Sequence, residues 1–339
     1  MSSHAQVPII TSDRPRQRYW LDRESILGPL LLLPTVLYIV GLVGFPLVLA
    51  ILFSVSDATV GDQSFDFVGL DNFAHVIGDQ TFQRALVHTI VFTLVSQLIV
   101  VFFANILALV LSAEFHGKRL VRFIVLLPWT TPIALGVLGW LWTLDNVFSP
   151  IDFLVRQTGL LGPSVGPFRV DNPVADLVRW LGWGSAFGTG SNVLWLARST
   201  LAQITVVIVH VWRTLPLATV ILLAGLTSIP QDVKDAANVD GAGFFRQVFY
   251  IRLPLLMPIM AVAFLYGIIF TFTDMTIPYI LTNRGGPVDS TQVLASWAFI
   301  KGVEGGNLAE GAAIALFLFP VLVGVATLML RLARRTETS

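Results

Sequence analysis

Cysteine is absent from the 339 residues, which excludes disulfides, thiolate metal sites and cysteine nucleophiles while leaving the redox compartment open. Charge is scarce. Only 12% of residues are Asp, Glu, Lys or Arg, against about 25% in soluble domains. The 21 basic residues balance the 21 acidic ones, so no excess of one sign points to nucleic acid. The five histidines are scattered and show no metal-ligand spacing. No G-x-x-x-x-G-K-(S/T) phosphate loop occurs, so the chain does not bind ATP by that route. There is no β-period alternation, no strong internal repeat and no low-complexity tract.

What the chain has instead is apolar length. Hydrophobic residues make up 55% of it and mean hydropathy is +0.78, which places it in a membrane. Six apolar runs, near 27–53, 86–111, 121–143, 201–228, 255–282 and 309–331, exceed the roughly 20 residues that cross a bilayer. Their prolines, among them Pro46, Pro128, Pro132, Pro216 and Pro258, are tolerable because neighbouring membrane helices satisfy the freed carbonyls. The first run is too long for a signal-peptide core and lacks a small-residue cleavage site, so it reads as a retained span. The expected fold class is an all-α integral membrane protein with six transmembrane helices over 27–331, flanked by tails at 1–26 and 332–339.

Loop charges orient the spans. The 54–85 connection holds Asp57, Asp62, Asp66, Asp71 and Asp79 against one Arg84. The 112–120 connection has Lys118 and Arg119, and Arg331, Arg334 and Arg335 close the chain. Positive-inside bias puts both termini and the 112–120 and 229–254 loops in the cytoplasm. The 144–200 loop is then external, with short helices expected on the membrane and Trp180, Trp183 and Trp195 as interfacial aromatics.

Between the fourth and fifth runs lies DAANVDGAGFFRQVFYIRLPLLMP, residues 235–258. Ser228 followed three residues later by Gln231 is a capping-box pattern, and Pro230 suits a first turn. A short helix is expected over about 229–239. Asp240-Gly241 supplies a turn, with Gly241 free to take positive φ. Phe244, Val248 and Ile251 then recur at helical spacing, with Arg246, Gln247 and Tyr250 on the other side, until Leu253-Pro254 starts the fifth span. The unit reads as a helix–turn–helix along the membrane surface. The residues alone leave an ordinary interfacial loop as the other reading.

The stretch resembles the cytoplasmic EAA motif of ABC-importer permeases through Asp235-Ala236-Ala237, Asp240-Gly241-Ala242, Phe249, Ile251, Leu253-Pro254 and Pro258. It departs at its first position, where aspartate stands for glutamate and shortens the reach by one methylene. The likeness extends over most of residues 30–330. Val68-Gly69-Leu70-Asp71-Asn72-Phe73 with Phe82, Leu86 and Thr89 resembles the external loop and second-span start of carbohydrate-type permeases. Leu126-Leu127-Pro128-Trp129, Ala224-Gly225-Leu226 with Ile229-Pro230, and Asp274 with Leu281-Thr282 and Gly285-Gly286-Pro287 match further parts. The maltose/glycerol-phosphate group is the nearest in pattern.

That resemblance implies the type I ABC importer permease fold with a cytoplasmic coupling helix, in a bacterial or archaeal cytoplasmic membrane. It implies a second permease subunit, expected to make a heterodimer, two cytoplasmic ATPase subunits, and an extracytoplasmic binding protein that delivers a sugar or a sugar or polyol derivative. No cofactor would be bound by this chain; ATP and Mg would sit on the ATPase. Ala236, Ala237 and Ala242 would pack in the ATPase cleft, Asp235 and Asp240 would make polar contacts at its edge, and Gly241 would make the turn. For Asp240 the residue chemistry leaves a purely local Asx-turn open.

Polar groups inside the runs mark the candidate substrate path. Arg213 in mid-span must face a partner or a wet cavity. It reads either as a donor to sugar hydroxyls or phosphate, or as a structural pair with the partner subunit or Asp274. Asp274, flanked by Thr271, can accept from sugar hydroxyls or hold the fold. Trp140, Trp212 and Tyr279 can stack on a pyranose, whereas Trp142 reads as an interface aromatic. Gln97, Asn105 and His210 read as helix–helix hydrogen bonds. Two rivals remain. An ion-coupled secondary transporter of a small polar solute would carry an internal repeat and broken helices in matching halves. A membrane enzyme would gather acid–base groups at one depth.

Overall fold

The computed structural model describes residues 24–62, 65–145, 148–157 and 193–337. Trp180, Trp183 and nearly all of the 1–26 tail lie outside them. Among the described residues the chain is helical, with one isolated antiparallel bridge between Ser56 and Phe67. It divides into two compact units, Met1–Leu52 and Phe53–Ser339.

The first unit carries the first crossing: α1 (Glu24–Ile39), a π-turn (Val40–Gly44) and α2, which begins at Phe45 and ends at Ser54. The π-turn has a cause in the sequence. Pro46 has no N–H, and its ring would collide with the carbonyl one turn back in a regular helix. The Phe45 N–H reaches back to Val40 O instead, widening the helix by one residue ahead of the proline.

The second unit holds α3 (Asp71–Gly78), α4 (Gln80–Ser112), α5 (Lys118–Thr130), α6 (Ile133–Thr143), α7 (Pro150–Gln157), α8 (Ser199–Ser228) and α9 (Gln231–Val239). It continues through α10 (Phe244–Gln247), a π-turn (Val248–Arg252), α11 (Leu253–Thr273), α12 (Thr276–Leu281), α13 (Leu294–Phe299), a π-turn (Ile300–Glu304) and α14 (Leu308–Glu337). Five helices, Leu27–Ser54, Gln80–Ser112, Ser199–Ser228, Phe244–Thr273 and Leu308–Leu328, are long and apolar enough to cross a membrane. Among the described residues a sixth exists only if α5 and α6, bent by 97° at their junction, count as one.

That bend corrects the expectation of a single helix over 121–143. Thr131 precedes Pro132 and takes the extended conformation, with ψ 133°, that a residue before proline prefers. Thr130 and Thr131 hydroxyls donate to Leu127 O at 3.1 and 2.7 Å, satisfying the carbonyl where the helix ends. The fifth run breaks as well. α11 stops at Thr273, Asp274 is extended, and α12 begins after it. The other end of this run starts earlier than expected: α10, its π-turn and α11 form one continuous rod from Phe244, so Leu253-Pro254 lies inside the helix and starts nothing. The π-turn again sits just ahead of a proline, Pro254.

Helices α4 and α8 make the most extensive pairing and, with α11, enclose a core of Val100, Ala104, Ala108, Ala218, Leu222, Leu226 and Leu256. Small residues let the backbones approach closely. At Gly225 an added Cβ would lie 2.7 Å from Ile259 and 2.8 Å from Leu256. Toward the opposite end, the Val68–Phe73 motif has a mechanical role. Gly69 turns the chain at φ +64°, and Asn72 Nδ2 donates to Ser54 O and Ser56 O at 3.0 and 2.7 Å. Thr89 Oγ1 accepts the Leu294 N–H at 2.8 Å, fixing the start of α13, a helix that the sequence did not announce. Gly302 and Gly311 then bring the end of that segment against α14 backbone to backbone.

The 144–200 connection, expected to be external, contains one described short helix, α7. Trp195, expected as an interfacial aromatic, is tied to α7: its Nε1 donates to Asp152 at 2.7 Å, and Asp152 also accepts the Val193 N–H.

Candidate functional site

Two groups of residues carry the candidate chemistry. The first is the loop unit between α8 and α11. Helix α9 begins after Pro230 with no side-chain cap. The expected capping box does not form, because Ser228 Oγ turns back to Gly225 O at 2.8 Å and Gln231 Nε2 donates forward to Asp235 at 2.9 Å. At its other end α9 closes with Ala242 N–H on Ala237 O and Gly241 N–H on Asn238 O, at 2.9 and 3.1 Å. This paired pattern is a Schellman motif, which requires a left-handed residue after the cap. Gly241 supplies it at φ +71°.

Exposure separates the three alanines. Ala236 faces outward, Ala237 is buried within this chain, and Ala242 is half-buried. Ala237 therefore packs on its own fold, against the expectation that all three fill a partner's cleft. Asp235, Asp240 and Gly241 are exposed. Beside them stand apolar residues that water disfavours: Val239 is 87% exposed and Phe245 74%. Gln247, placed by periodicity on the outer face with Arg246 and Tyr250, is buried. Its amide bonds to Asn238 and Ala242.

The second group surrounds the break at Asp274. Arg213 Nη1 lies 3.6 Å from Asp274 Oδ2, and His210 Nδ1 lies 3.5 Å from the same oxygen. Asp274 Oδ1 accepts the Thr276 N–H at 2.9 Å, so the carboxylate caps the first turn of α12 and faces two cationic or polar side chains of α8. Thr271 Oγ1 is the hub of the neighbouring layer, within hydrogen-bonding distance of Gln97 Nε2 at 2.6 Å and His210 Nε2 at 2.9 Å, and donating to Gly267 O. The Arg213 guanidinium lies over Phe270 and Trp129, 5.1 and 5.8 Å from the ring centroids. An aromatic clasp of this kind stabilises a cation away from water.

Of the path candidates, Arg213, Thr271 and Asp274 are brought together. Trp140 and Trp212 pack edge to face at 5.6 Å. Tyr279 is set apart, bonded to Glu304 and packed on Phe299. The geometry favours the pairing of Arg213 with Asp274 over a free donor. The spaces beside Trp212, Arg213 and Trp129 are about 10 Å³ each, too small for a sugar ring. The larger cavities lie elsewhere. One of about 800 Å³ is lined mostly by apolar side chains of α4, the Val248–Arg252 π-turn and α11, and one of about 510 Å³ lies between α4, α8 and residues 290–293. Gln97 and His210 make the expected interhelical bonds, whereas Asn105 bonds within its own helix to Val101 O. Trp129 and Phe270 were missed as partners of Arg213. The spacing within Leu126–Trp129 gave no hint, because they meet only through folding.

Residues 100–338 match the family described as binding-protein-dependent transport system inner membrane component. The chain is 27% identical to the sulfoquinovosyl glycerol transport system permease protein of Agrobacterium fabrum over 99% of this chain and all of the relative. It is 28% identical to the trehalose/maltose transport system permease protein of Thermococcus litoralis over 92% of this chain and 95% of that one. Its fold is similar to a subunit of the bacterial alginate ABC transporter solved in complex with an alginate pentasaccharide-bound periplasmic protein, with a TM-score of 0.72 at 18% identity over 93% of this chain and 96% of that one.

Proposed function

The chain belongs to the family of binding-protein-dependent transport system inner membrane components, and from that premise we propose how it works. It is the membrane-spanning permease subunit of an ATP-driven sugar importer. The cargoes named for the two relatives described above are glycosides, which supports a di- or oligosaccharide, or a sugar or polyol derivative, as its own. It works beside a second permease subunit, with an extracytoplasmic binding protein delivering the sugar and two cytoplasmic ATPase subunits holding ATP and Mg. It lies in a prokaryotic cytoplasmic membrane with both termini inside.

The coupling role rests on one observation. Helix α9 is closed by a Schellman turn and presents Val239, Asp235, Ala236 and Asp240 outward from a position next to the end of the α10–α11 rod. A compact, partly apolar knob held at the foot of a span is the shape a partner needs to push that span. The sugar path is formed with the second subunit, since the space beside Trp212 and Arg213 within this chain is too small.

The test is reconstitution of the complex in proteoliposomes. Uptake of labelled sugar should require internal ATP and the binding protein. Gly241→Val should abolish uptake while the chain still inserts, because a β-branched residue at φ +71° strains the turn by about 1–3 kcal/mol. Uptake driven by an ion gradient without ATPase subunits would overturn the reading in favour of a secondary transporter.

A further inference from the structure

We propose that Gln247 is a positioning residue for energy coupling: its side-chain amide is the strut through which motion of α9 reaches the fifth span. This rests on the coupling role proposed for α9.

Gln247 and Val248 are buried on a segment that is otherwise turned mostly outward. Phe245 is 74% exposed and Tyr250 79%, yet Gln247 is 8% exposed. A buried amide must find partners for its two donors and its acceptor. Here Nε2 donates to Asn238 Oδ1 at 2.7 Å and to Ala242 O at 2.8 Å. Oε1 accepts from Arg252 Nη2 at 3.2 Å. Both Nε2 partners belong to the end of α9 and its closing turn. The third partner lies at the end of the π-turn that leads into α11. One side chain therefore joins the knob to the rod.

The covalent connection cannot do this work by itself. Between α9 and α10 run Asp240, Gly241, Ala242 and Gly243, and two glycines in four residues leave the backbone compliant. Among the described residues, Asn238 with Gln247 is the side-chain hydrogen bond that crosses from α9 to the Phe244–Arg252 segment. Beyond Gln247 the π-turn and α11 continue without a break to Thr273. Coupling between separated sites travels through such contiguous contacts. Without the strut, a push on α9 would be absorbed at the glycines.

The experiment uses the whole complex, comparing Gln247→Met, Asn238→Ala and Asn238→Asp. Methionine keeps the length and removes every hydrogen bond. Aspartate keeps an acceptor for the Gln247 N–H, and alanine does not. Sugar transported per ATP hydrolysed should fall by about tenfold in Gln247→Met and Asn238→Ala, a size ordinary for one coupling step, with the ATPase subunits still co-purifying. Asn238→Asp should restore most of the ratio. A wild-type ratio in Gln247→Met or Asn238→Ala overturns the strut, as does an Asn238→Asp defect equal to that of alanine. Should Gln247→Met fail to insert, the two Asn238 variants decide by themselves. ATPase subunits missing from the wild-type preparation would instead overturn the coupling role of α9, and the strut with it.

Discussion

Arg213 and Asp274 illustrate how a residue's meaning depends on what folding puts beside it. Each is costly in a membrane when unpaired. Together, at 3.6 Å, they bind α8 to the break in the fifth span, and Trp129 and Phe270 cover the cation. Removing one member of a buried pair strands the other at a cost of about 3–5 kcal/mol. Arg213→Met and Asp274→Asn should therefore each lower the melting temperature of the purified complex, and the double variant should recover part of the loss. Single variants that melt normally but no longer import sugar would make Arg213 a ligand and not a clasp. A second residue-scale effect lies at Gly267, whose missing side chain makes room for Gln97. Gly267→Ala should cost about 1–3 kcal/mol by overpacking. Adding Gln97→Ala should remove most of that cost, because the two changes share one space; additive losses in thermal unfolding would refute this.

At the scale of helices, proline and glycine decide the outcome. Prolines tolerated in principle had three different effects here. Pro132 ends a helix and bends its run by 97°, Pro46 and Pro254 each follow a π-turn, and Pro320 is carried inside α14. Sequence spacing could not distinguish these, because each depends on which neighbour donates to the freed carbonyls. Glycine divides likewise. Gly311 meets the backbone of Gly302, while Gly324 on the same helix α14 has open space around it. Gly311→Ala should destabilise by about 1–3 kcal/mol or more, since backbone atoms must shift. Gly324→Ala should be neutral or stabilising by up to about 1 kcal/mol through helix propensity. Equal melting temperatures for the two variants would contradict the close crossing.

For the whole molecule the testable quantity is orientation. The absence of cysteine makes single-cysteine labelling clean. Phe67 is 80% exposed and Val239 87%, on opposite sides of the membrane in the topology proposed. A membrane-impermeant maleimide added to intact cells should label Phe67→Cys directly and Val239→Cys only after permeabilisation. The reverse pattern would invert the topology and remove α9 from reach of a cytoplasmic ATPase.

The linear order of residues by itself determined the membrane class, the positions of the apolar runs, the exposed Gly241 turn and the family to which the loop belongs. These follow from local composition and from residues close together in the chain, where hydrophobic length and backbone preference act without reference to distant parts. Only the tertiary structure decided that Gln247 points inward, that Ala237 is buried by its own fold, that Arg213 is clasped by Trp129 and Phe270, and that the third run bends. Those outcomes require a partner on another element, near in the chain as Asn238 is to Gln247 or distant as Trp129 is from Arg213, or a competition among carbonyls for donors, and these are settled only when the helices are packed together.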